Sequence, residues 1–468
     1  MQLALPEGLK RVGFVATRLA GTDGVSLETR KWADVLERLG LSLFFIAGEC
    51  DQSPEKVAII EEAHFRHPVI REIQQRAFVD RQRDEQLTAD ILAATARIKR
   101  ELRHSVEKFQ LDLLIVENAI TIPMNIPLGL AVVQLVQELE MACVAHHHDF
   151  YWERERFLNN RVDEFLRAAF PPGLKQMEHV VINTRAAEEL SRRTGISCRV
   201  IPNVMDFDSP PAPIDDYARQ FRTTVGLADD DLLILQPTRV VARKGIEHAI
   251  ELVRLLDNPR CKLVITHASG DEGDSYAQHL RRFAELLGVP LIFADRWIGD
   301  RRGTNQDGQP VFTIADAYGQ ADLVTYTSTY EGFGNAFLEA VYYKCPVVCN
   351  RYAVFRTDIE PCGFRTILVD GFLTDKTVSQ VRHVLQDPSW RNEMVEHNYA
   401  VARQFFSYQV LEHELRSIFR RPHIACRCGT GSACDDGRTA AATARCCTDD
   451  AESTGGSADS PNSGCRSK

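Results

Sequence analysis

The stretch ADLVTYTSTYEGFGNAFLEA, residues 321–340, contains a buried strand, a glycine-bearing turn and the start of a helix. Residues 321–328 are a short, mostly apolar run, which is typical of a strand that is covered on both faces. Gly332 and Gly334 let the backbone turn sharply and come close to a ligand. Ligands of open parallel sheets bind beyond the carboxyl ends of the strands, so this turn is a candidate binding loop.

The turn also carries the residues of a binding site. The amides of Gly332, Phe333 and Gly334 would lie at a helix N-terminus, which attracts anions. Glu331 and Glu339 are eight positions apart, and a carboxylate accepts paired hydrogen bonds from the vicinal hydroxyls of a sugar or a ribose. Glutamates at this spacing are more often ordinary surface charges. The glycine turn between strand and helix is what favours the binding interpretation.

The same alternation of short apolar strands and helical stretches continues on both sides of this segment, which indicates βαβ units around parallel sheets. Apolar positions three and four residues apart between Leu87 and Phe109 predict one long amphipathic helix. Residues 180–203 are predicted to form strand, helix and strand. The other predicted strands cover residues 12–17, 41–48, 111–118, 142–149, 232–239, 261–268, 290–295 and 345–350.

A proline- and aspartate-rich stretch, DFDSPPAPIDD, separates two such series of units. We therefore predict an α/β protein of two doubly wound, Rossmann-like domains that face each other across a cleft. Their predicted limits are residues 1–205 and 217–420, with a linker at 206–216 and a last helix that is free to cross back to the first domain. Residues 421–468 lack a hydrophobic period and are predicted to be a disordered, cysteine-rich tail.

Two further loops follow predicted strands. TRVVARKG (residues 238–245) places Arg239 and Lys244 five positions apart, where they could clamp a diphosphate. Solvated surface charge is the usual explanation of such a pair, and the neighbouring Arg243 makes it less distinctive. Gly21 and Gly24 follow the first strand and could form a backbone-amide pocket for an acceptor or a phosphate, with an ordinary turn as the equal alternative.

The segment HHHDFYWERERF (residues 146–157) ends another strand. Its three histidines alternate between the two faces of the strand, so they cannot all bind one metal ion. One histidine at the strand end could donate a hydrogen bond to a substrate hydroxyl in the cleft. Packed aromatic rings and surface charges are the alternatives for the remaining candidate acceptor contacts, which are Asp149, Tyr151, Trp152 and Arg154, with Arg156 as a second candidate cation.

Composition argues against some classes of partner. The 468 residues carry a net charge of −10, which argues against a nucleic-acid partner. The apolar stretch at residues 119–136 contains two prolines, so we expect a buried loop and a core helix and no stable membrane insertion. The N-terminal residues do not have the pattern of a signal peptide, and we expect a cytoplasmic protein.

The 13 cysteines form two groups. Seven are scattered in apolar surroundings and are expected to be buried free thiols. The other six lie in the predicted tail. There, the spacing of Cys426, Cys428 and Cys434 with His423 fits no standard zinc finger.

Taken together, these motifs resemble the family 4 retaining glycosyltransferases with the two-domain GT-B fold. The resemblance covers residues 12–419 and is carried by Arg239 with Lys244, by Glu331 with Glu339 around the G-F-G turn, and by the N-terminal glycine loop. Two variant loops, SGDEGDSY (residues 269–276) and NRYAVFRTDIEPCGF (residues 350–364), resemble a subgroup of synthases of small glycosylated osmolytes such as mannosylglucosylglycerate.

The resemblance implies a role for each motif. Arg239 and Lys244 would bind the donor diphosphate, Glu331 and the amides after it the transferred sugar, and Glu339 the ribose. His148, with His147 as the next candidate, would contact the donor sugar. The leaving phosphate would deprotonate the acceptor, and no metal or other cofactor would be needed.

The function that this resemblance implies is transfer of a hexose from a nucleotide sugar of the GDP-mannose or UDP-glucose type. The acceptor would be a small hydroxylated molecule such as glycerate or glucosylglycerate. One alternative is a phosphorylase or disaccharide synthase on the same fold. The other is an inactive nucleotide-sugar-binding protein, against which the joint presence of Arg239, Lys244, Glu331 and Glu339 argues. The oligomeric state does not follow from the sequence.

Overall fold

The computed structural model describes residues 5–21, 23–80, 82–83, 85–269, 273–421 and 424–425. The first half of the chain forms a sheet of seven parallel strands: β1 (Arg11–Ala16), β2 (Ser42–Ala47), β3 (Val57–Ile59), β4 (Leu113–Glu117), β5 (Ala142–His147), β6 (Met177–Val181) and β7 (Cys198–Val200). Their order is β3-β2-β1-β4-β5-β6-β7.

The second half forms a sheet of six parallel strands and a small antiparallel hairpin. The sheet strands are β8 (Leu232–Gln236), β9 (Cys261–Ile265), β10 (Leu291–Phe293), β13 (Leu323–Tyr326), β14 (Val347–Asn350) and β15 (Ile367–Val369), and the hairpin strands are β11 (Gly303–Thr304) and β12 (Pro310–Val311). The order in the sheet is β10-β9-β8-β13-β14-β15, so both sheets have the strand arrangement of a Rossmann fold.

Helices connect the strands. Those of the first half are α1 (Gly24–Arg38), α2 (Pro68–Gln74), α3 (Glu85–Phe109), α4 (Ile126–Glu138), α5 (Glu155–Leu158), α6 (Asp163–Ala169) and α7 (Thr184–Thr194). The later ones are α8 (Asp216–Thr224), α9 (Ile246–Leu256), α10 (Ser275–Leu287), α11 (Ile314–Gly319), α12 (Asn335–Tyr342), α13 (Asp375–Gln386), α14 (Pro388–Phe405) and α15 (Tyr408–Phe419).

The long helix α3 has the buried face that its sequence period predicts. Leu87, Ile91, Ile98 and Leu102 lie four to seven residues apart and are almost fully buried in the core of the first half. The apolar stretch from residue 119 is a buried loop followed by α4, which begins after Asn125 because the Asn125 side chain accepts a hydrogen bond from the Leu128 amide. Among the described residues, no helix is long and apolar enough to cross a membrane.

The last helix, α15, packs on the first sheet although α14 packs on the second. The chain bends at Ser407, and Met205 pairs with Ser407 in an isolated bridge. Leu411 and Leu415 of α15 are fully buried in one cluster with Val12 of β1. Hydrophobic burial therefore ties the end of the described chain to its first strand.

The connections reverse direction between β1 and β4 in the first sheet and between β8 and β13 in the second. Such a reversal opens a crevice at the carboxyl ends of the two strands, where ligands bind. The edge strands β3 and β15 were not predicted from the sequence, whereas the edge strands β7 and β10, which also have three residues each, were predicted. The seven cysteines before residue 421 are free thiols, and four of them are buried: Cys143, Cys261, Cys345 and Cys349. Of the predicted tail, residues 421 and 424–425 are described, and Ile424 is fully buried in the same cluster as Val12, so the packed part of the chain extends past the predicted limit at residue 420. The candidate zinc ligands of the tail lie outside the described residues.

Candidate active site

Lys244 and Glu331 form a buried ion pair at the crevice of the second sheet. Lys244 ends a short helical turn after β8, and Glu331 lies in the turn after β13. The Lys244 ammonium donates a hydrogen bond to Glu331 Oε1, and Arg243 Nη1 donates one to Oε2 at 3.0 Å. Both Lys244 and Glu331 are 9% exposed. Residues 87 positions apart in sequence therefore meet at the predicted binding edge.

Burial and charge act in opposite directions on this pair. Burial by itself would raise the pKa of Glu331, but the charges of Lys244 and Arg243 lower it. Burial lowers the pKa of Lys244, and Glu331 partly offsets this effect. The carboxylate is therefore ionised at neutral pH, and its charge helps to keep the buried Lys244 protonated.

Gly245 lets the Lys244 loop lie against the strand that leads to Glu331. It has φ +56° and ψ +39°, a left-handed conformation that favours glycine. A Cβ atom at this position would lie 2.6 Å from the carbonyl oxygen of Thr327. The Thr327 hydroxyl also donates a hydrogen bond to the carbonyl of Lys244 at 3.1 Å. No larger residue fits here without moving the loop.

The turn after Glu331 presents unused backbone amides. The N–H groups of Gly332, Phe333 and Gly334 donate hydrogen bonds to no described residue, and they lie just before α12. The carbonyls face the other way, with that of Gly332 accepting from Asn183 at 2.7 Å and that of Phe333 from Tyr352 at 2.6 Å. The amides that the sequence predicted as an anion site therefore lie at this helix N-terminus without a hydrogen-bond partner among the described residues.

Glu339 and Arg239 both lie close enough to Lys244 for their charges to interact with it. Glu339, on the second turn of α12, accepts a hydrogen bond from the Tyr318 hydroxyl at 3.0 Å, and burial raises its pKa. Arg239 is exposed and makes no ion pair with a described residue. Its charge and that of Lys244 add to burial in lowering the pKa of His267 to about 4. His267, which follows β9, was not predicted as a site residue because a single histidine after a strand is not a distinctive signal.

The three consecutive histidines point to both faces of β5, as strand geometry requires. His146 Nδ1 and His148 Nε2 both donate to Glu117 Oε2, at 2.9 and 3.0 Å. His147 points to the opposite face, where it is hydrogen-bonded to His179 at 2.9 Å. His148 is the least buried of the three, with 9% of its side chain exposed.

Glu117 controls the charge of this cluster. Burial would raise its pKa, but His146 and His148 lower it to about 2. Glu117 in turn raises the pKa of His148 against the effect of burial, whereas burial keeps the pKa of His146 below its usual value. Glu117 was not predicted as a site residue, because it ends β4 and looks in the sequence like any polar residue after a strand.

Glu117, His146 and His148 are also the described residues best placed to hold a metal ion, since one ligand atom from each lies within 4.8 Å of the others. Two histidines and a carboxylate suit zinc or ferrous iron. The two contacts of Glu117 Oε2 have hydrogen-bond lengths, and they account for the arrangement without an ion. We interpret the cluster as a positioning device for His148.

His148 lies beside the open turn of the second sheet. A Cβ atom on Gly332 would lie 3.4 Å from the carbonyl oxygen of His148. Two more contacts join the first and second halves of the chain: the Tyr330 hydroxyl donates to Glu153 at 2.5 Å, and Thr184 donates to Asp358. Glu331, Lys244, the free amides and His148 therefore surround one crevice between the two sheets.

The N-terminal glycine loop is arranged differently. The Gly21 amide donates to Asp51 at 3.0 Å, and Gly24 is the first residue of α1. Asp23 caps that helix by accepting from the amides of Val25 and Ser26. The protein's own carboxylates thus occupy amides that a phosphate would need, in contrast to the open turn after Glu331.

The other candidate acceptor contacts are engaged within the protein. Asp149 accepts hydrogen bonds from Arg154 and from Asn118. Trp152 stacks on Phe150 with ring centroids 4.5 Å apart, and Tyr151 packs against the core of the first half. Of the cations named in this segment, Arg156 alone makes neither an ion pair nor a side-chain hydrogen bond with the described residues.

Replacing Glu117 with glutamine should uncouple His148. We expect a free energy of unfolding about 3 kcal/mol lower at pH 7, since the variant loses a buried charged partner of two histidines. Because the pKa of Glu117 is depressed in the folded protein, its contribution is present above pH 4.5 and is lost as the pH falls toward 2. The stability difference should therefore shrink over that range.

The readouts for Glu117→Gln are denaturant unfolding at several pH values and an NMR titration of His148, whose pKa should fall. An exposed carboxylate on α14, Glu393, provides the control: Glu393→Gln should change neither quantity. An unchanged His148 pKa in Glu117→Gln would contradict the positioning role.

Comparison with known proteins identifies the family of the chain. Residues 307–401 match the family described as glycosyl transferases group 1. Mannosylglucosylglycerate synthase of Thermotoga maritima is 33% identical over 435 residues, which are 86% of this chain and 98% of that protein. The synthase of the same name from Petrotoga mobilis is 33% identical over 381 residues, 76% of this chain and 86% of that protein.

Solved structures show the same fold at low identity. A glycosyltransferase from Rickettsia africae has a TM-score of 0.60 at 14% identity, over 88% of this chain and 98% of that one. HepE from Anabaena, solved with UDP and glucose, has a TM-score of 0.57 at 14% identity, over 88% of this chain and 99% of that one. The chain is therefore a hexosyltransferase with the GT-B fold and belongs to the group 1 glycosyltransferases.

Proposed function

We propose that this protein is a retaining glycosyltransferase that moves a hexose from a nucleotide sugar to a small hydroxylated acid. The observation that carries the proposal is the buried Lys244–Glu331 pair beside the free amides of residues 332–334. Anion-binding and hydroxyl-binding groups thus lie next to each other, as a sugar diphosphate requires. The 33% identity to two mannosylglucosylglycerate synthases supports GDP-mannose as the donor to test first.

The cations act on the diphosphate. The Lys244 ammonium has three N–H donors and uses one on Glu331, which leaves two for phosphate oxygens. Arg239 is exposed beside it without an ion-pair partner among the described residues. Fixed cations at this position would stabilise the negative charge that develops on the leaving nucleotide.

The carboxylates act on hydroxyls. Each oxygen of Glu331 accepts one hydrogen bond from a cation and keeps a lone pair for a sugar hydroxyl. The amides of Gly332, Phe333 and Gly334 donate to oxygens of the same sugar. Glu339 is held by Tyr318 farther along α12 and accepts from the ribose.

His148 acts on the donor sugar from the first sheet. Its backbone lies against Gly332, and Glu117 fixes its ring. The carboxylates whose charges act on His148 are engaged within the protein: Glu117 is turned to the two histidines, Glu28 pairs with Lys31, and Asp149 pairs with Arg154. We propose that the leaving phosphate takes the proton of the acceptor hydroxyl on the same face of the sugar, so the anomeric configuration is retained, and that no metal ion takes part.

The first experiment is a thermal-shift screen with GDP-mannose, UDP-glucose, ADP-glucose and the free nucleotides, because a ligand of the folded state raises the melting temperature. We expect selective stabilisation by one nucleotide. Transfer to D-glycerate or glucosylglycerate is then followed by NMR, which should show the donor's anomeric configuration in the product and no effect of EDTA.

Two results would overturn the proposal. An inverted anomer would exclude the retaining mechanism. Cooperative melting with no shift by any nucleotide, together with turnover that consumes or releases inorganic phosphate, would identify a phosphorylase on the same fold.

A further inference from the structure

A cavity of about 240 Å³ lies between α5 and the helical segment at residues 68–79. Its lining includes two arginines, Arg71 and Arg156, and three phenyl rings, those of Phe65, Phe78 and Phe157. No carboxylate is among the described residues that line it. The cavity is therefore both cationic and aromatic. This combination suits a ligand that carries an anionic group on a sugar or another carbon skeleton.

Neither arginine is neutralised by the protein. Arg71 and Arg156 make no ion pair and no side-chain hydrogen bond with the described part of the chain. Nearby arginines behave differently, since Arg76 pairs with Asp90 at 2.7 Å and Arg154 pairs with Asp149. Arg71 also lines an adjoining cavity with Glu72, and the Glu72 carboxylate lies 3.6 Å from Arg76 and makes no ion pair with Arg71. All the guanidinium N–H donors on the two side chains, about five on each, are thus left for an external acceptor.

The ring of Phe157 holds Arg156 in place. The guanidinium carbon lies 4.5 Å from the Phe157 centroid, and Phe78 meets the same ring edge-on at 4.9 Å. Partial burial and the charge of Arg154 lower the pKa of Arg156, as expected for a cation that lacks a compensating anion. An ordered but unpaired guanidinium loses little side-chain entropy when an anion binds.

The cavity is joined to the active site through a few residues. Tyr330, which precedes Glu331, donates to Glu153, and α5 begins two residues after Glu153. On the other wall, the Gln74 amide donates to the carbonyl of Pro123, in the loop that follows β4. The cavity thus lies at the carboxyl edge of the first sheet. It is next to the segment around Glu153, which contacts the turn that carries Tyr330 and Glu331.

We propose that this cavity is the subsite for the acidic group of the acceptor, with Arg71 and Arg156 binding a carboxylate or phosphate and the phenyl rings packing against its carbon skeleton. This inference rests on the proposed transferase function and deepens it. It assigns acceptor specificity to Arg156, which has no ion-pair partner in the described chain, and not to Arg154, which is paired within the protein. Both variants proposed below change exposed side chains, so the fold should be kept.

The test compares acidic and neutral acceptors in wild type, Arg71→Gln, Arg156→Gln and the double variant. Glucosylglycerate supplies a carboxylate, its phosphorylated analogue supplies a phosphate, and glucosylglycerol is neutral. We expect the double variant to raise KM for the acidic acceptors at least tenfold, because it loses the hydrogen bonds of two charged groups to the acid. The kcat value, donor KM and KM for glucosylglycerol should stay within about twofold of wild type, since neither arginine would contact the donor or a neutral acceptor.

Arg100→Gln is the matched control, since Arg100 is an exposed arginine of the same half with only a loose contact to Glu101 at 3.4 Å. It should leave every constant unchanged. The preferred acidic acceptor of wild type identifies the anion as carboxylate or phosphate. Two results would overturn the proposal. One is that the double variant and wild type have equal KM values for both acids. The other is that the double variant raises KM for glucosylglycerol as much as it does for the acids.

A second measurement separates this inference from the proposed function. Isothermal titration with D-glycerate, 3-phosphoglycerate and glycerol needs no nucleotide sugar. Binding of an acid by wild type that is lost in the double variant would support the subsite even if no nucleotide bound the protein. Binding that is equal in both proteins would overturn the subsite even if transfer is confirmed.

Discussion

Replacing Glu331 with glutamine is expected to reduce kcat/KM for transfer by about 10²–10³-fold, the usual effect of removing one fixed electrostatic group from an active site. Glutamine has the same shape but no charge, so Lys244 would lose the partner that opposes the effect of burial on its pKa. A lysine that deprotonates more readily supplies less positive charge to the leaving diphosphate. The variant should also lose the hydroxyl acceptor for the donor sugar.

The chain offers a matched control for this substitution. Glu396 pairs with Lys344 at 2.7 Å in the same half of the protein, but the Glu396 side chain is 61% exposed. Exposed ion pairs contribute little, so Glu396→Gln should retain wild-type transfer. Circular dichroism and melting curves check that both variants are folded. Equal transfer rates of Glu331→Gln and Glu396→Gln would exclude Glu331 from the site.

Replacing Gly245 with alanine is expected to reduce transfer at least about 30-fold and to lower the free energy of unfolding by about 2–4 kcal/mol. The left-handed conformation costs an alanine about 1 kcal/mol. The larger cost comes from the Cβ atom, which would lie 2.6 Å from the Thr327 carbonyl oxygen. Because that oxygen belongs to the backbone, the loop must move, and Lys244 moves away from Glu331 with it.

Gly288 separates the cost of the left-handed conformation from the cost of the Cβ contact. It ends α10 with φ +66° and ψ +29°, close to the conformation of Gly245, but no atom lies within 4 Å of the position that its Cβ atom would take. Gly288→Ala should therefore cost about 1 kcal/mol of stability and leave transfer unchanged. Denaturant unfolding and initial rates measure both. Wild-type transfer by Gly245→Ala would show that the Lys244 loop does not need its close contact with the segment after β13.

Strong local patterns predicted most of the fold. The period of α3 and the continuous apolar runs of β1, β5 and β13 repeat over enough residues to be recognised without a structure. The edge strands β3 and β15 were missed, although β7 and β10, which are equally short, were predicted, so strand length alone does not decide the outcome. Both missed strands are defined by hydrogen bonds to a neighbouring strand. The motif residues Lys244 and Glu331 were predicted in the same way as the long elements, from a turn of distinctive sequence after a strand.

The fold class, the two series of βαβ units and the two glycine turns could be read from the residues alone, because each depends on neighbours in the chain. Which of the two turns has free amides depends on the folded chain: those around Gly21 are taken up by Asp51 and Asp23, and those after Glu331 are open. The contact that holds His148 against Glu117 likewise appears only after folding. Hydrogen bonds and ion pairs between residues tens of positions apart depend on how strands are ordered in the sheet, and a linear sequence does not contain those distances.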